Sequence, residues 1–317
     1  MRRATPLVPV VAALLVLTAC GSEQSGTRQG GAGEAAGPAS GAPVTDAPVD
    51  GVRITSVTIP SPSPSPKRSY SVQAERLPGD SGISAAYEVT NGGTEALTYE
   101  ILFHFTTDSG ASMANREVTV RDVRPGATAR GTVELGVLQR GASAVTRVKV
   151  GRVTKVPAAE APPAPGDCPE GGVRVTVDDG DAAMGLRVVG LHLENCGTSP
   201  YSLDGYPELT LLDDGLKPVD GVTVVHGSGG ISTGTRFDEP PRPLTLKPGE
   251  KAVSGLMWRN TTQFGEPVNV PYVRVRAKAG AALVTVTPHL DLGTTGKLAV
   301  RAWAPAPEET DRKMPRT

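Results

Sequence analysis

Apolar residues recur at every second position through much of this chain, the period of a strand with one buried face. Tyr99, Ile101, Phe103 and Phe105 alternate with Thr98, Glu100, Leu102 and His104, and Val118/Val120, Val133/Leu135 and Val148/Val150 repeat the rhythm. The pattern predicts strands near 52–59, 69–76, 83–90, 97–106, 115–122, 128–135 and 144–155. The Pro-Ser run at 60–66 falls between two of them as a loop, because a hydrogen-bonded ladder cannot absorb four prolines. A second β-rich stretch predicts strands at 172–178, 185–194, 208–213, 222–226, 250–258, 271–278, 283–287 and 297–303. No segment after the first twenty residues keeps a helical period.

Many short strands per hundred residues fit an all-β fold of two immunoglobulin-like β-sandwich domains, at 52–156 and 168–303. Residues 20–51 are mostly Gly, Ala, Ser, Pro, Thr, Gln and acidic residues, and read as a disordered tether. Residues 157–167 read as a semi-rigid proline-rich linker, and 304–317 as a polar, disordered tail. The two β regions echo each other. Val89-Thr90-Asn91-Gly92-Gly93-Thr94 ends a strand in the first, and Leu193-Glu194-Asn195-Cys196-Gly197-Thr198 ends one in the second. Val123-Arg124-Pro125-Gly126 and Leu246-Lys247-Pro248-Gly249 then each lead into another strand through a Pro-Gly turn. The second unit carries about nineteen extra residues, mostly between Asp204 and Pro243.

The first residues change the picture from fold to location. Arg2 and Arg3 precede an apolar run, Leu7 to Leu17, of the length of a signal-peptide core and too short to span a bilayer as a helix. Leu17-Thr18-Ala19-Cys20 follows directly and resembles the lipobox of bacterial lipoproteins. The expectation is a signal peptide at 1–19, cleavage before Cys20, and a lipid on the Cys20 thiol (palmitate among its acyl chains). That anchors the protein to the outer face of the cytoplasmic membrane, with the bilayer as its first partner. The formal net charge of −1 becomes about −3 once Arg2 and Arg3 are removed. No basic patch interleaved with aromatics exists, so nucleic acid is not an expected partner.

Setting Cys20 aside leaves Cys168 and Cys196, an even pair in a compartment that permits disulfides. Neither sits in a C-x-x-C or at ligand spacing from a histidine. A bond between them closes a loop and contributes about 3 kcal/mol. Neither a cofactor nor a metal is expected. Asp178-Asp179-Gly180-Asp181 lacks EF-hand spacing and reads as a turn, with a weak cation site as the other reading. Of the four histidines, His104 and His192 fall on strand positions opposite the apolar face, and His289 lies between two predicted strands. His226 and Ser228 sit two residues apart in a Gly-rich string, without the G-x-S-x-G elbow or a following helix. Trp258 and Tyr206 read as core residues, with a sugar-binding face as the other reading.

The second region resembles an uncharacterised domain common in secreted lipoproteins of high-GC Gram-positive bacteria. The likeness rests on Cys168, Asn195, Leu203-Asp204-Gly205-Tyr206-Pro207, Leu246-Lys247-Pro248-Gly249 and Leu256-Met257-Trp258, over roughly residues 168–303. The first region is similar, more loosely, to immunoglobulin-like modules of other bacterial surface lipoproteins. Neither family brings an established activity. The resemblance therefore implies location and fold.

These readings converge on a non-enzymatic binding or structural module of the cell envelope, facing a cell-wall polymer or an envelope protein. The alternative is an extracytoplasmic hydrolase using His226 and Ser228. A transporter's solute-binding subunit would need two α/β lobes, and ranks last. The expected recognition surface is the long stretch from Asp213 to Pro243, with His226, Ser228, Arg236, Phe237 and Asp238. Phe237 is read there as an exposed aromatic amid charge, on an adaptable glycine-rich backbone. The competing reading is a disordered insertion with no role.

Overall fold

The computed structural model describes residues 41–60, 80–138 and 141–307. Residues 1–40, which include the signal peptide, Cys20 and most of the predicted tether, lie outside the described residues, as do the predicted strand at 69–76 and the chain from 308 onward. What is described is all-β.

The first region contains β1 (Ala42–Pro43), β2 (Val52–Thr58), β3 (Ser84–Thr90), β4 (Leu97–Thr106), β5 (Ser112–Val123), β6 (Thr128–Glu134) and β7 (Arg147–Pro157). Two antiparallel sheets, β1-β2-β3-β6 and β5-β4-β7, enclose one core. The alternation along β4 does what its period requires. Tyr99, Ile101, Phe103 and Phe105 are buried between the sheets beside Tyr87, Val89 and Leu135. On the other face of β4, His104 lies over Gly151, the extra residue of a bulge in β7, where any Cβ would collide with the imidazole.

The second region contains β8 (Val173–Val177), β9 (Asp181–Ala183), β10 (Leu186–Asn195), β11 (Tyr201–Leu203), β12 (Glu208–Leu212), β13 (Thr223–His226), β14 (Leu244–Leu246), β15 (Lys251–Arg259), β16 (Asn269–Val270), β17 (Tyr272–Arg276), β18 (Leu283–Val286), β19 (Leu290–Asp291), β20 (Lys297–Val300) and β21 (Ala304–Pro305). Its large sheet runs β13-β20-β15-β10-β8, with β9 and β21 added at the ends of β10 and β15. A smaller β12-β17-β18 sheet faces it. Leu191, Leu193, Leu256, Trp258, Leu298 and Val300 meet Val273, Val275 and Val286 in the core between them. The very short strands β9, β11, β14, β16 and β19 escape the periodic reading, since two or three residues cannot display a period. The predicted strand at 297–303 ends earlier, at Val300.

Three boundaries are corrected. The tether does not reach residue 51: Ala42 and Pro43 pair with Val57 and Ser56, and Val49 pairs with Val52. The tail does not begin at Ala304, because Ala304 and Pro305 pair with Val253 and Ala252. The segment 157–167 is not a spacer either. Pro157 still pairs with Leu97, and Ala158–Glu160 form one 3-10 turn. Glu160 then accepts hydrogen bonds from Arg274 Nε (2.8 Å) and Thr285 Oγ1 (2.6 Å) of the second region. Arg121 Nη1 donates to the Pro162 carbonyl at 2.6 Å. Val156, Leu212 and Tyr272 form a small apolar cluster across the junction, and the Lys155 N–H donates to the Tyr272 hydroxyl. A proline-rich composition predicts stiffness. It does not predict docking, which depends on partners more than a hundred residues away.

Candidate functional site

The glycine-rich string after β13 is a folded cover on the large sheet. β13 adds to the sheet in parallel with β20, pairing His226 with Val300. The Gly227 N–H donates to the Val300 carbonyl, and the Ser228 N–H to Asp238 Oδ1 at 2.8 Å. Asp238 thus closes a ten-residue excursion by satisfying a backbone donor at its base. Thr235 Oγ1 accepts from the Phe237 N–H and starts the 3-10 turn Arg236–Asp238.

That turn aims Phe237 inward. It is 7% exposed, packed on Met257 and Ala299 with Leu186, Val188, Val225 and Ile231 around it. Gly255 makes room: a Cβ there would stand 3.2 Å from the Phe237 ring. The expectation of an exposed aromatic on an adaptable backbone is therefore corrected. Charged neighbours in sequence say nothing about direction, and here Arg236, Asp238 and Glu239 face solvent while Phe237 does not. A signal was present elsewhere. Leu256-Met257-Trp258 puts three large apolar residues in succession on one strand, which only a sheet covered on both faces can bury.

His226 and Ser228 are not brought together. The exposed imidazole of His226 stacks on Tyr206, ring centroids 3.9 Å apart and 5° from parallel, while Ser228 is buried. Among the described residues no hydrogen bond joins the two side chains, so the geometry of a base on its nucleophile is absent there. Arg236 pairs with Glu239 at 3.6 Å, and Glu239 also receives Arg301 at 2.6 Å. Of the five residues expected to form a recognition surface, His226, Arg236 and Asp238 remain exposed. Phe237 and Ser228 serve packing, and Asp238 serves the turn.

Sequence reasoning missed a polar arrangement on the same outer face. Gly190 lies opposite Gly255 in the β10–β15 register. Over Gly190 folds the Asp178 carboxylate, accepting from the N–H groups of Gly190 (2.8 Å) and Gly180 (3.0 Å) and meeting His192 Nε2 at 3.0 Å. Burial pushes the Asp178 carboxyl up, but the bond from His192 and the two backbone donors outweigh it and hold it below its ordinary value. The Asp-rich string is thus a turn, with its first aspartate turned back over the sheet. Beside it opens a groove of about 730 Å³, lined by Arg174, His192, Glu194, Glu250, Lys251 and Pro307 among others. Arg174 and Glu194 form a 2.7 Å ion pair on its floor.

Asp291 holds a third polar cluster. Trp258 Nε1 donates to its Oδ1 (2.9 Å) and Asn260 Nδ2 to its Oδ2 (3.0 Å). Burial raises this carboxyl as well, and the two donors with Arg187 more than reverse the effect. Trp258 is a core residue at 3% exposure, and its polar handle is spent on Asp291. Among the described residues no group of three His, Cys, Asp or Glu side chains is arranged to hold a metal ion.

Cys168 and Cys196 are bonded, their Cα atoms 5.6 Å apart. The bond ties the entry of the second region to the corner that follows β10.

Residues 168–304 match the family described as Domain of unknown function (DUF4232). No curated protein matches the chain.

Proposed function

We propose that this protein is a membrane lipoprotein, lipidated on Cys20 and displayed outside the cytoplasmic membrane. Its two β regions then act as a non-enzymatic binding or structural module toward a cell-wall polymer or an envelope protein. The cysteine inventory carries the reading. The chain has three cysteines, and the Cys168–Cys196 bond occupies two of them. A structural disulfide belongs to an oxidising compartment. The remaining thiol stands at the end of the Leu7–Leu17 apolar run, inside Leu17-Thr18-Ala19-Cys20, where a diacylglyceryl group would be attached. Two acyl chains on that group give stable anchoring where one gives only reversible binding.

The hydrolase alternative draws no support from the Gly-rich string, because the His226 imidazole stacks on Tyr206 and Ser228 is enclosed. Metabolic labelling with an alkyne fatty acid tests the anchor: the wild-type chain should carry the label and a Cys20→Ser variant should not. Equal labelling of the two would overturn the proposal.

A further inference from the structure

Two large apolar side chains stand almost wholly in solvent at one end of the second region. Met184 is 92% exposed and Phe264 96%, against 41–54% for Val49, Ile59 and Val137. They belong to different loops that meet. Leu186 pairs with Arg259, so the β9–β10 turn lies beside the loop that leaves β15, and the Asn260 N–H donates to the Gly185 carbonyl at 3.0 Å. The base of the second loop is pinned. Gln263 N–H donates to Thr294 Oγ1, and Thr294 N–H to the Thr261 carbonyl.

Met184 is an unusual choice for its backbone. It has φ 47° and Gly185 has φ 78°, a two-residue hairpin turn in which Asn, Asp or Gly is the unstrained first residue. Packing does not hold Met184 there. Around Phe264 the loop is uncharged (Thr261, Thr262, Gln263, Gly265), with Glu266 as the one ionisable residue between 260 and 268.

We infer that this end of the second region inserts Met184 and Phe264 into the interfacial layer of a lipid bilayer. The inference rests on the lipoprotein reading, which places a bilayer within reach. Separate apolar tips with Glu266 as the one charge in the Phe264 loop make a poor protein hot spot, which needs a well-packed pocket around its anchor. A bilayer accepts apolar side chains without shape complementarity. Roughly twenty residues separate Cys20 from Gly41. A chain of that length reaches at most about 70 Å. The ten-residue strand β10 is only about 33 Å long. The anchor also makes insertion an intramolecular step, so weak tips suffice.

A Phe264→Trp chain tests this, because Trp258 and Trp303 are each 3% exposed and report little of the solvent. The lipidated chain is reconstituted in phosphatidylcholine:phosphatidylglycerol vesicles carrying lipids brominated near the headgroup. The new tryptophan should shift to the blue and be quenched by bromine. Adding Met184→Asn, which suits the turn better, should weaken vesicle binding of the unlipidated chain begun at Gly21 about tenfold. That chain reads the tip without the anchor, whereas loss of the acyl label reads the anchor without the tip. Emission unchanged by vesicles, with full quenching by aqueous acrylamide, would overturn the inference. So would a blue shift that needs an added envelope protein instead of lipid.

Discussion

The two β regions build the same corner from the same residue, and differ in what they lay over it. In the first, Asn91 Nδ2 donates to the carbonyls of Glu95 and Val123, and its Oδ1 accepts from Gly93 N–H. In the second, Asn195 Nδ2 donates to Ser199 and Leu246, and its Oδ1 accepts from Gly197 N–H. The main chain repeats as well. Asn91 and Asn195 donate to the carbonyls of Ala127 and Glu250, and accept from Gly126 and Gly249 of the Pro-Gly turns. A single buried amide thus satisfies two carbonyls and a donor where a strand leaves its sheet, which an apolar residue cannot do. Among the described residues the second region adds two things not seen in the first: the Cys196 bond to Cys168 beside the corner, and the 227–239 cover on its large sheet. Equivalent corners therefore do not imply equivalent stability, since one is covalently closed.

The sharpest way to break the comparison is to remove the amides. Asn91→Ala and Asn195→Ala each strand buried carbonyls, and each should lower stability by about 4 kcal/mol, read as a shift of the urea unfolding midpoint. If the disulfide buttresses the second corner, Asn195→Ala should be the milder change, and reductant should bring the two together. Equal losses with and without reductant would mean that the bond contributes nothing to the corner. The cover comes next. Phe237→Ala opens a cavity against Met257 and Ala299 and should cost about 3 kcal/mol. A replacement of 227–238 by a Gly-Ser linker should cost at least as much. Unchanged unfolding of both variants would return the segment to the status of a loose insertion.

The smallest effect tests the junction of the regions. Burial, then repulsion from Arg152 of the first region, holds His289 down to about 4, with Asp214 opposing. The ordinary value is 6.5. On acidification through the window between these values the unfolded chain takes up a proton that the folded chain refuses. Stability therefore falls as pH drops from about 6.5 to about 4, by about 2 kcal/mol after allowing for partial exposure. The lowered carboxyls of Asp178 and Asp291 add their losses only below their ordinary 3.8. His289→Asn, which also suits φ 49° at that position, should flatten the profile of unfolding midpoint against pH across the window.

Local rules were enough to read the longer strands and the pairing of the cysteines. Tyr99 to Phe105 alternate because a pleated strand points successive side chains to opposite faces, a property of the backbone alone. Asn91 and Asn195 were visible as a repeated string, though not as a hydrogen-bonding device, because the carbonyls their side-chain amides serve lie up to 32 and 51 residues away. Tertiary structure alone decided the direction of Phe237, the stacking of His226 on Tyr206, the docking of Glu160 and the fold of Asp178 over Gly190. In each case the deciding partner is distant in sequence, or the residue's own neighbours point the wrong way. Phe237 sits among three charges and is nonetheless buried, since the space above Gly255 exists only once β10, β15 and β20 have formed one sheet. Periodicity is written by the chain's own geometry, whereas a cavity is written by what other segments leave empty.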